Sequence, residues 1–357
     1  MDRASIQNAR LENTLSLGKV LVTGAAGFLG RNIVRKLLNE GCSVRALIRS
    51  TGLDIHHDRL EIVTGDVTRH ADLVTACKGI KTVFHTAADI CLLGGVAASR
   101  SYRDRAWQIN VEGTRNIIRA CQSQGVQRLV YTSSVDVCFS GKPLPDMHEE
   151  LPYAQSPKSI YARTKIEAER LALAANGRGD LLTCAIRPDG IYGAEPNDMI
   201  DRFCEQLHRG RLLARIGSAE ALQDNSQIDN LVHGEILAAL HLLPEGAACG
   251  QAYFIGDGEP TNSFDFFRPL IEGLGYQFPT REIPAGLLRP IVVVWEALHF
   301  WVGLPKPMLS PHELDKISVT HYAKLDKARA ELGYEPVKSS AQAMQECLSY
   351  CKRGSGL

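Results

Sequence analysis

The chain has 357 residues, with 40 Lys+Arg balanced by 40 Asp+Glu and 45% hydrophobic residues. That length accommodates two domains, or one large α/β unit with an appended lobe, and the neutral charge supplies no global field for nucleic acid or an anionic membrane. The apolar fraction excludes a disordered chain, and no repeat or biased run points to a collagen-like, coiled-coil or low-complexity architecture.

Residues 1–17 are polar, carry both signs of charge and lack the apolar core of a signal peptide, so they are expected to form a flexible extension outside the fold. Lys19 to Thr23 is then a short strand-like run, followed by Gly24, Gly27 and Gly30 and by a helical pattern with Ile33, Val34, Leu37 and Leu38 on one face. Further strand-like runs at Ser43–Ile48, Leu60–Val63, Thr82–His85, Arg128–Thr132 and Leu181–Arg187 alternate with helical stretches. This alternation predicts an α/β fold with a doubly wound parallel sheet over residues 18–190. Residues 191–357, with one strand at Gln251–Ile255, are expected to form mainly a smaller mixed substrate-binding lobe, with segments returning to the first domain.

The three glycines stand between a strand and a helix. The first suits a tight turn, the second lets backbone N–H groups approach a pyrophosphate, and the third lets helix pack on sheet, so dinucleotide binding is expected. An acid at the end of the second strand would bind the adenosine ribose and favour NAD. Here that position is Ile48, followed by Arg49, which can pair with a 2′-phosphate or be a solvated surface arginine. The cofactor is therefore NAD(P)(H), with NADP(H) expected over NAD. Asp66 can accept from the adenine amino group or cap the helix that follows.

Tyr161 and Lys165 lie one turn apart in a helical stretch. A tyrosine of reference pKa ~10 is a poor base at neutral pH, and a nearby lysine cation favours its phenolate. Tyr131-Thr132-Ser133-Ser134 ends a strand, where a hydroxyl can hydrogen-bond the reacting oxygen or cap a helix. The ten cysteines form no C-x-x-C pair and no zinc-ligand spacing, so no metal is expected and the thiols read as reduced, in a cytoplasmic protein. The window 283–304, IPAGLLRPIVVVWEALHFWVGL, is interrupted by Arg289, Glu296 and His299 and falls short of an uncharged run of ~18 residues. It is expected to be a buried or substrate-contacting helix first and a peripheral membrane contact second.

With TGAAGFLG, GDV (65–67), HTAA (85–88), NVEGT (110–114), YTSS (131–134), YARTK (161–165) and RPDGIYG (187–193), the chain resembles an extended short-chain dehydrogenase/reductase with a Rossmann fold. Through LTCAIRP (182–188), DNLVHGEILAALHL (229–242), GQAYFIGDGEP (250–260) and KARAELGYEP (327–336) it is most similar to the 3β-hydroxysteroid dehydrogenase/isomerase family, bacterial cholesterol dehydrogenases in particular. The resemblance implies Ser134, Tyr161 and Lys165 as the catalytic set. It implies cofactor contacts at Gly24, Gly27, Phe28, Leu29, Gly30, Asp66, Val67, Ala87, Ser133, Tyr161, Lys165 and Pro188, and an isomerase pair at Tyr253 and Asp257. The implied reaction is oxidation of a sterol or steroid 3β-hydroxyl to the ketone, with Δ5→Δ4 isomerisation as a further step. Reduction of a β-keto acid or 2-alkyl-3-ketoalkanoate, oxidation of a 4α-carboxysterol, sugar-nucleotide epimerisation, and NADP sensing without turnover are the alternatives. Relatives pair through two helices, here 107–124 and 160–175, so a homodimer is expected.

Overall fold

A computed structural model of the chain describes residues 14, 16–50, 52–93 and 98–355. Seven strands form the central sheet: β1 (Val20–Thr23), β2 (Val44–Ile48), β3 (Leu60–Thr64), β4 (Thr82–His85), β5 (Arg128–Thr132), β6 (Leu182–Arg187) and β7 (Ala252–Phe254). Their order is β7-β6-β5-β4-β1-β2-β3, and every neighbouring pair is parallel. Strands covered on both faces need apolar residues at consecutive positions. Val20 and Val22 accordingly enter one core, while Leu21 between them enters the other. The strand order reverses between β1 and β4, and the crevice at their carboxyl ends is where such sheets hold ligands.

On one face, α1 (Phe28–Asn39) buries Ile33, Val34, Leu37 and Leu38. The other face is covered by α2 (His70–Cys77) and, after α3 (Arg100–Trp107) and a π turn over Gln108–Glu112, by α4 (Gly113–Gln124). The helix α5 (Ile160–Ala174) lays Ala168 and Ala172 against Tyr131 and Ala185, small residues that allow close approach to the sheet.

In the second half, α6 (Asp198–His208) is followed by α7 (Ile228–Leu240), whose Leu231, Val232, Ile236 and Ala239 join the core beneath α1. Residues after 190 therefore provide one covering helix and one edge strand of the nucleotide sheet. A separate core is built by α6 and α8 (Ser263–Gly273) with a helix near the C-terminus, through Ile200, Leu207, Phe266, Leu270 and Met344. The remaining helices are α9 (Ala285–Val302), α10 (Pro311–Ser318), α11 (Asp326–Leu332) and α12 (Ser340–Ser355), the last carrying Met344.

Two expectations need correction. The segment set aside as an extension enters the fold before residue 18: Leu17 is fully buried, its carbonyl accepts the Thr82 hydroxyl at 2.8 Å, and the Ser16 carbonyl accepts from Arg128. Residues 1–13 and 15 lie outside the described residues. The window expected to be a buried or substrate-contacting helix is not buried: Glu296 is the one buried residue of α9. Arg289, Glu296 and Phe300 share the side turned to the protein, where Arg289 pairs with Asp315 and Phe300 meets Tyr102 edge-on at 5.3 Å. Leu287, Ile291, Val294 and Trp301, spaced four, three and seven apart, form an exposed apolar stripe on another side, Trp301 at 73% exposure. Among the described residues this is one helix long and apolar enough to cross a membrane by length and composition.

Candidate active site

The turn after β1 opens the nucleotide side. Gly24 has φ +67°, and a Cβ there would lie 2.8 Å from the Ala87 backbone, so only glycine fits. A Cβ on Gly30 would lie 2.3 Å from the Gly24 carbonyl, which fixes how closely α1 approaches the loop. Gly27 is the N-cap of α1 and offers no side chain to the first-turn N–H groups. A Cβ on Gly27 would meet only the Gly24 carbonyl, at 3.2 Å. Uncapped donors, a positive helix end and an open approach over Gly27 suit a pyrophosphate. The residues present therefore fit a dinucleotide.

At the adenosine end, Ile48 is buried and Arg49 exposed. Burial opposes ionisation of Asp66. Its carboxyl is nevertheless held below the usual range by the Thr68 amide and hydroxyl, with Arg49 and Arg69 close by. Val67 lines the start of this loop, its carbonyl held by Asn116. Phe28 and Leu29 open α1, with the Arg31 guanidinium 5.3 Å from the Phe28 ring centre.

The side chains expected to be catalytic come together where β5 ends. Ser134 is extended (φ −164°), and its hydroxyl accepts the Asp136 amide at 3.2 Å. Pro188 closes the adjacent strand end by accepting the Val135 amide at 3.0 Å. Ser133 donates its amide to the Ile186 carbonyl at 2.6 Å, while its buried hydroxyl has no partner. Ser159 caps α5 through the Ala162 amide, and the Cys91 carbonyl takes the otherwise orphaned Tyr161 amide. Tyr161 thus sits on the first turn, half-buried, with the Ser134 hydroxyl near its phenol. Burial and the Asp136 carboxylate push that phenol above its ordinary pKa, and the Ser134 contact acts the other way.

Lys165, one turn later, is buried and donates to the Thr132 carbonyl at 2.6 Å, with its ammonium 5.7 Å from the Tyr161 ring centre. Burial brings it down to about 8, against the pull of Glu169 and Glu235. Asn110 ties the site together, donating to the Thr164 hydroxyl at 2.9 Å and accepting the Asp89 amide at 2.7 Å. The arrangement presents a hydroxyl, a phenol and a buried ammonium at the strand ends, suited to moving a proton to or from an alcohol oxygen.

The expected isomerase pair is not assembled here. Tyr253 lies in β7, its hydroxyl donating to Glu331 at 2.6 Å, with the Ala247 carbonyl 3.0 Å away as the alternative acceptor. Asp257 accepts from Tyr192, the Gln227 amide and Asn230 at 2.8–2.9 Å, which makes it a bracket between α7 and its surroundings. Neither is bonded to Ser134, Tyr161 or Lys165, because both side chains are committed to other partners.

The sequence reading missed a buried charged cluster just behind Ser134. Asp136 faces His312 at 3.2 Å and Lys316 at 3.4 Å, and Asp189 faces His321 at 3.2 Å and pairs with the same Lys316. Asp136 and Asp189 could have been suspected as acids just beyond two strand ends. Lys316, far along the chain, gives no local signal.

The sequence profile of the 3-beta hydroxysteroid dehydrogenase/isomerase family matches residues 21–285. The chain is 44% identical over 337 residues to the 3 beta-hydroxysteroid dehydrogenase/Delta 5→4-isomerase of Mycobacterium tuberculosis, covering 94% of this chain and 91% of that protein. It is 37% identical over 353 residues to short-chain dehydrogenase/reductase family 42E member 1 of Mus musculus, covering 94% and 89%. Among solved structures it resembles MoeE5 in complex with UDP-glucose and NAD, at 27% identity and a TM-score of 0.72, covering 95% of this chain and all of that one. The dTDP-glucose 4,6-dehydratase DesIV of Streptomyces venezuelae, at 22% identity and a TM-score of 0.73, shares the fold. With a family match over most of its length and 44% identity to a relative covered almost end to end, the chain belongs to the 3-beta hydroxysteroid dehydrogenase/isomerase family.

Proposed function

We propose that the protein oxidises the 3β-hydroxyl of a sterol or steroid to the 3-ketone. The observation that carries this reading is the gathering of Ser134, Tyr161 and the buried Lys165 ammonium, 5.7 Å from the Tyr161 ring centre, at the crevice of the sheet. Tyr161 accepts the hydroxyl proton, Ser134 orients the same oxygen, and Lys165 favours the phenolate from below. Gly24, Gly27 and Gly30 cradle the dinucleotide, which supplies the hydride acceptor when bound. The likeness to MoeE5 belongs to the scaffold, whereas the 44% identity with the Mycobacterium tuberculosis 3 beta-hydroxysteroid dehydrogenase/Delta 5→4-isomerase runs along nearly the whole chain.

NADP is the preferred cofactor in this reading, since Arg49 lies near Asp66 and the strand end Leu47-Ile48-Arg49-Ser50 carries no carboxylate to repel a 2′-phosphate. A charge-assisted contact of about 1.5–3 kcal/mol corresponds to roughly 10–100-fold tighter binding of NADP than of NAD. Absorbance at the reduced-nicotinamide band, with dehydroepiandrosterone, pregnenolone and cholesterol offered with each cofactor, tests both statements. Turnover with NADP is expected. Silence with every sterol alongside tight cofactor binding favours reduction of a β-keto acid.

The stripe Leu287, Ile291, Val294 and Trp301 is assigned to a membrane surface, from which a lipid-dissolved substrate can enter. An apolar helix side of this kind gains by burial at the lipid interface. The full chain is expected to co-float with phosphatidylcholine vesicles, and a Val294→Ser/Trp301→Ser variant to remain in the aqueous fraction. Equal flotation of both proteins would remove the assignment.

A further inference from the structure

Glu235 is a fully buried carboxylate on α7 that the catalytic scheme leaves unused. Its Oε1 accepts the Thr132 hydroxyl at 2.6 Å, and the carbonyl of the same Thr132 accepts the Lys165 ammonium at 2.6 Å. Its Oε2 has no hydrogen-bond partner. One residue at the end of β5 thus bridges a buried cation and a buried acid from two different helices. We propose that Glu235 is the positioning counter-ion of Lys165, acting through Thr132 to keep the ammonium charged beside Tyr161. The proposal rests on the reading that Lys165 assists Tyr161.

Glu169 and Glu235 both favour the charged Lys165, Glu169 the more strongly, but of the two only Glu235 is joined to it through Thr132 and lacks a cation bound to it directly. Glu169, on α5, is the second carboxylate near Lys165. It is bound through both oxygens by Arg187 of β6, at 2.6 Å for the shortest contact, and also accepts the Tyr153 hydroxyl. Its charge is therefore already matched. His85 of β4 lies buried between the Thr23 and Thr114 hydroxyls, and burial with Lys165 nearby lowers it to about 3, so it stays neutral. Tyr131 of β5, its ring 4.9 Å from the ammonium, and Cys184 of β6 are both pushed up by burial and stay protonated. Burial likewise raises Glu235 to about 7, opposed by the Thr132 hydroxyl and Lys165. A lysine taken out of water sheds its proton more readily, and a nearby negative charge reverses that tendency. An ionised Glu235 therefore extends the range over which Lys165 remains a cation, and only a cation favours the phenolate.

Glu235→Gln keeps an acceptor for Thr132 and removes the charge. The full chain, cofactor-free, is prepared with lysine carrying ¹³C at Cε, and the Lys165 signal is identified by its loss in Lys165→Met. The titration midpoint of Lys165 is expected near 8 in the parent and to fall by about one pH unit in Glu235→Gln, with partial recovery in Glu235→Asp. A midpoint unchanged in Glu235→Gln overturns the proposal. If Glu235→Gln does not fold, Thr132→Val is used. It deprives the carboxylate of its donor, so the same fall is expected and an unchanged midpoint is again fatal. With a 3β-hydroxysteroid as substrate, the alkaline limb of kcat should move down in step with the midpoint. A falling midpoint without turnover on any sterol leaves the counter-ion in place and removes the substrate reading instead.

Discussion

Tyr161→Phe is expected to leave the fold intact and to lower kcat by about 10²–10⁴-fold, the span covered by a positioned acid–base group. The lost atom is the phenol oxygen alone. Tyr161 is half-buried on a capped first helical turn, and its backbone is held by the Cys91 carbonyl and the Ser159 cap. The aromatic ring can therefore keep its place, so the loss should appear in kcat while KM changes little. The pH dependence of the parent follows from the raised phenol. Burial and Asp136 favour its protonated form, so oxidation should accelerate with rising pH until Lys165 begins to lose its proton near 8. Cofactor titration by fluorescence and steady-state rates from pH 6 to 10 would check each part. Undiminished kcat would refute the role given to Tyr161.

Lys316→Met is expected to destabilise the fold by about 3–5 kcal/mol, because it leaves two buried carboxylates without their shared cation. The Asp136 and Asp189 side chains are 4% and 8% exposed, and Lys316 lies between them from α10. Burial alone would raise both acids, yet Lys316 and the adjacent histidines hold them below the usual carboxylate range. Lys316 is raised in return by the two carboxylates, against its own desolvation. The depressed acids contribute stability above their unfolded pKa, which is lost as pH falls through their folded values. The raised lysine contributes fully below its unfolded pKa, and this is lost only as pH rises through its higher folded value. The gap between parent and variant in chemical denaturation should thus be flat from about pH 5 to 9 and close in acid. An unmatched Asp136 also raises the Tyr161 phenol further, so the residual activity of the variant should need a more alkaline pH. A gap that persists unchanged below pH 3 would contradict this account.

Much of the sheet was legible because its determinants are local. Doubly covered parallel strands must be apolar at successive positions, and the apolar run Arg128–Thr132 coincides with its strand, while the runs Ser43–Ile48 and Leu181–Arg187 each begin one residue before theirs. The glycine turn and the Tyr161/Lys165 spacing were legible for the same reason, since each lies within one turn or one loop. Glu235 and Lys316 were not, because they reach the site across 103 residues from Thr132 and from a distant helix respectively. Leu287 and Trp301 illustrate a different failure. Composition says that a helix is apolar, and only packing says that its stripe faces outward. Tyr253 and Asp257 rested on resemblance, with no spacing to test them, and the fold gives both other partners.

The seventh strand has a consequence for synthesis on the ribosome. β6 cannot acquire its outer neighbour until Ala252–Phe254 has been made, some 65 residues after Arg187 by sequence position. In that interval its backbone N–H and C=O groups form an unpaired, apolar sheet border, the kind of surface that recruits other nascent chains. Chaperone demand during translation should therefore be concentrated between the emergence of β6 and that of β7.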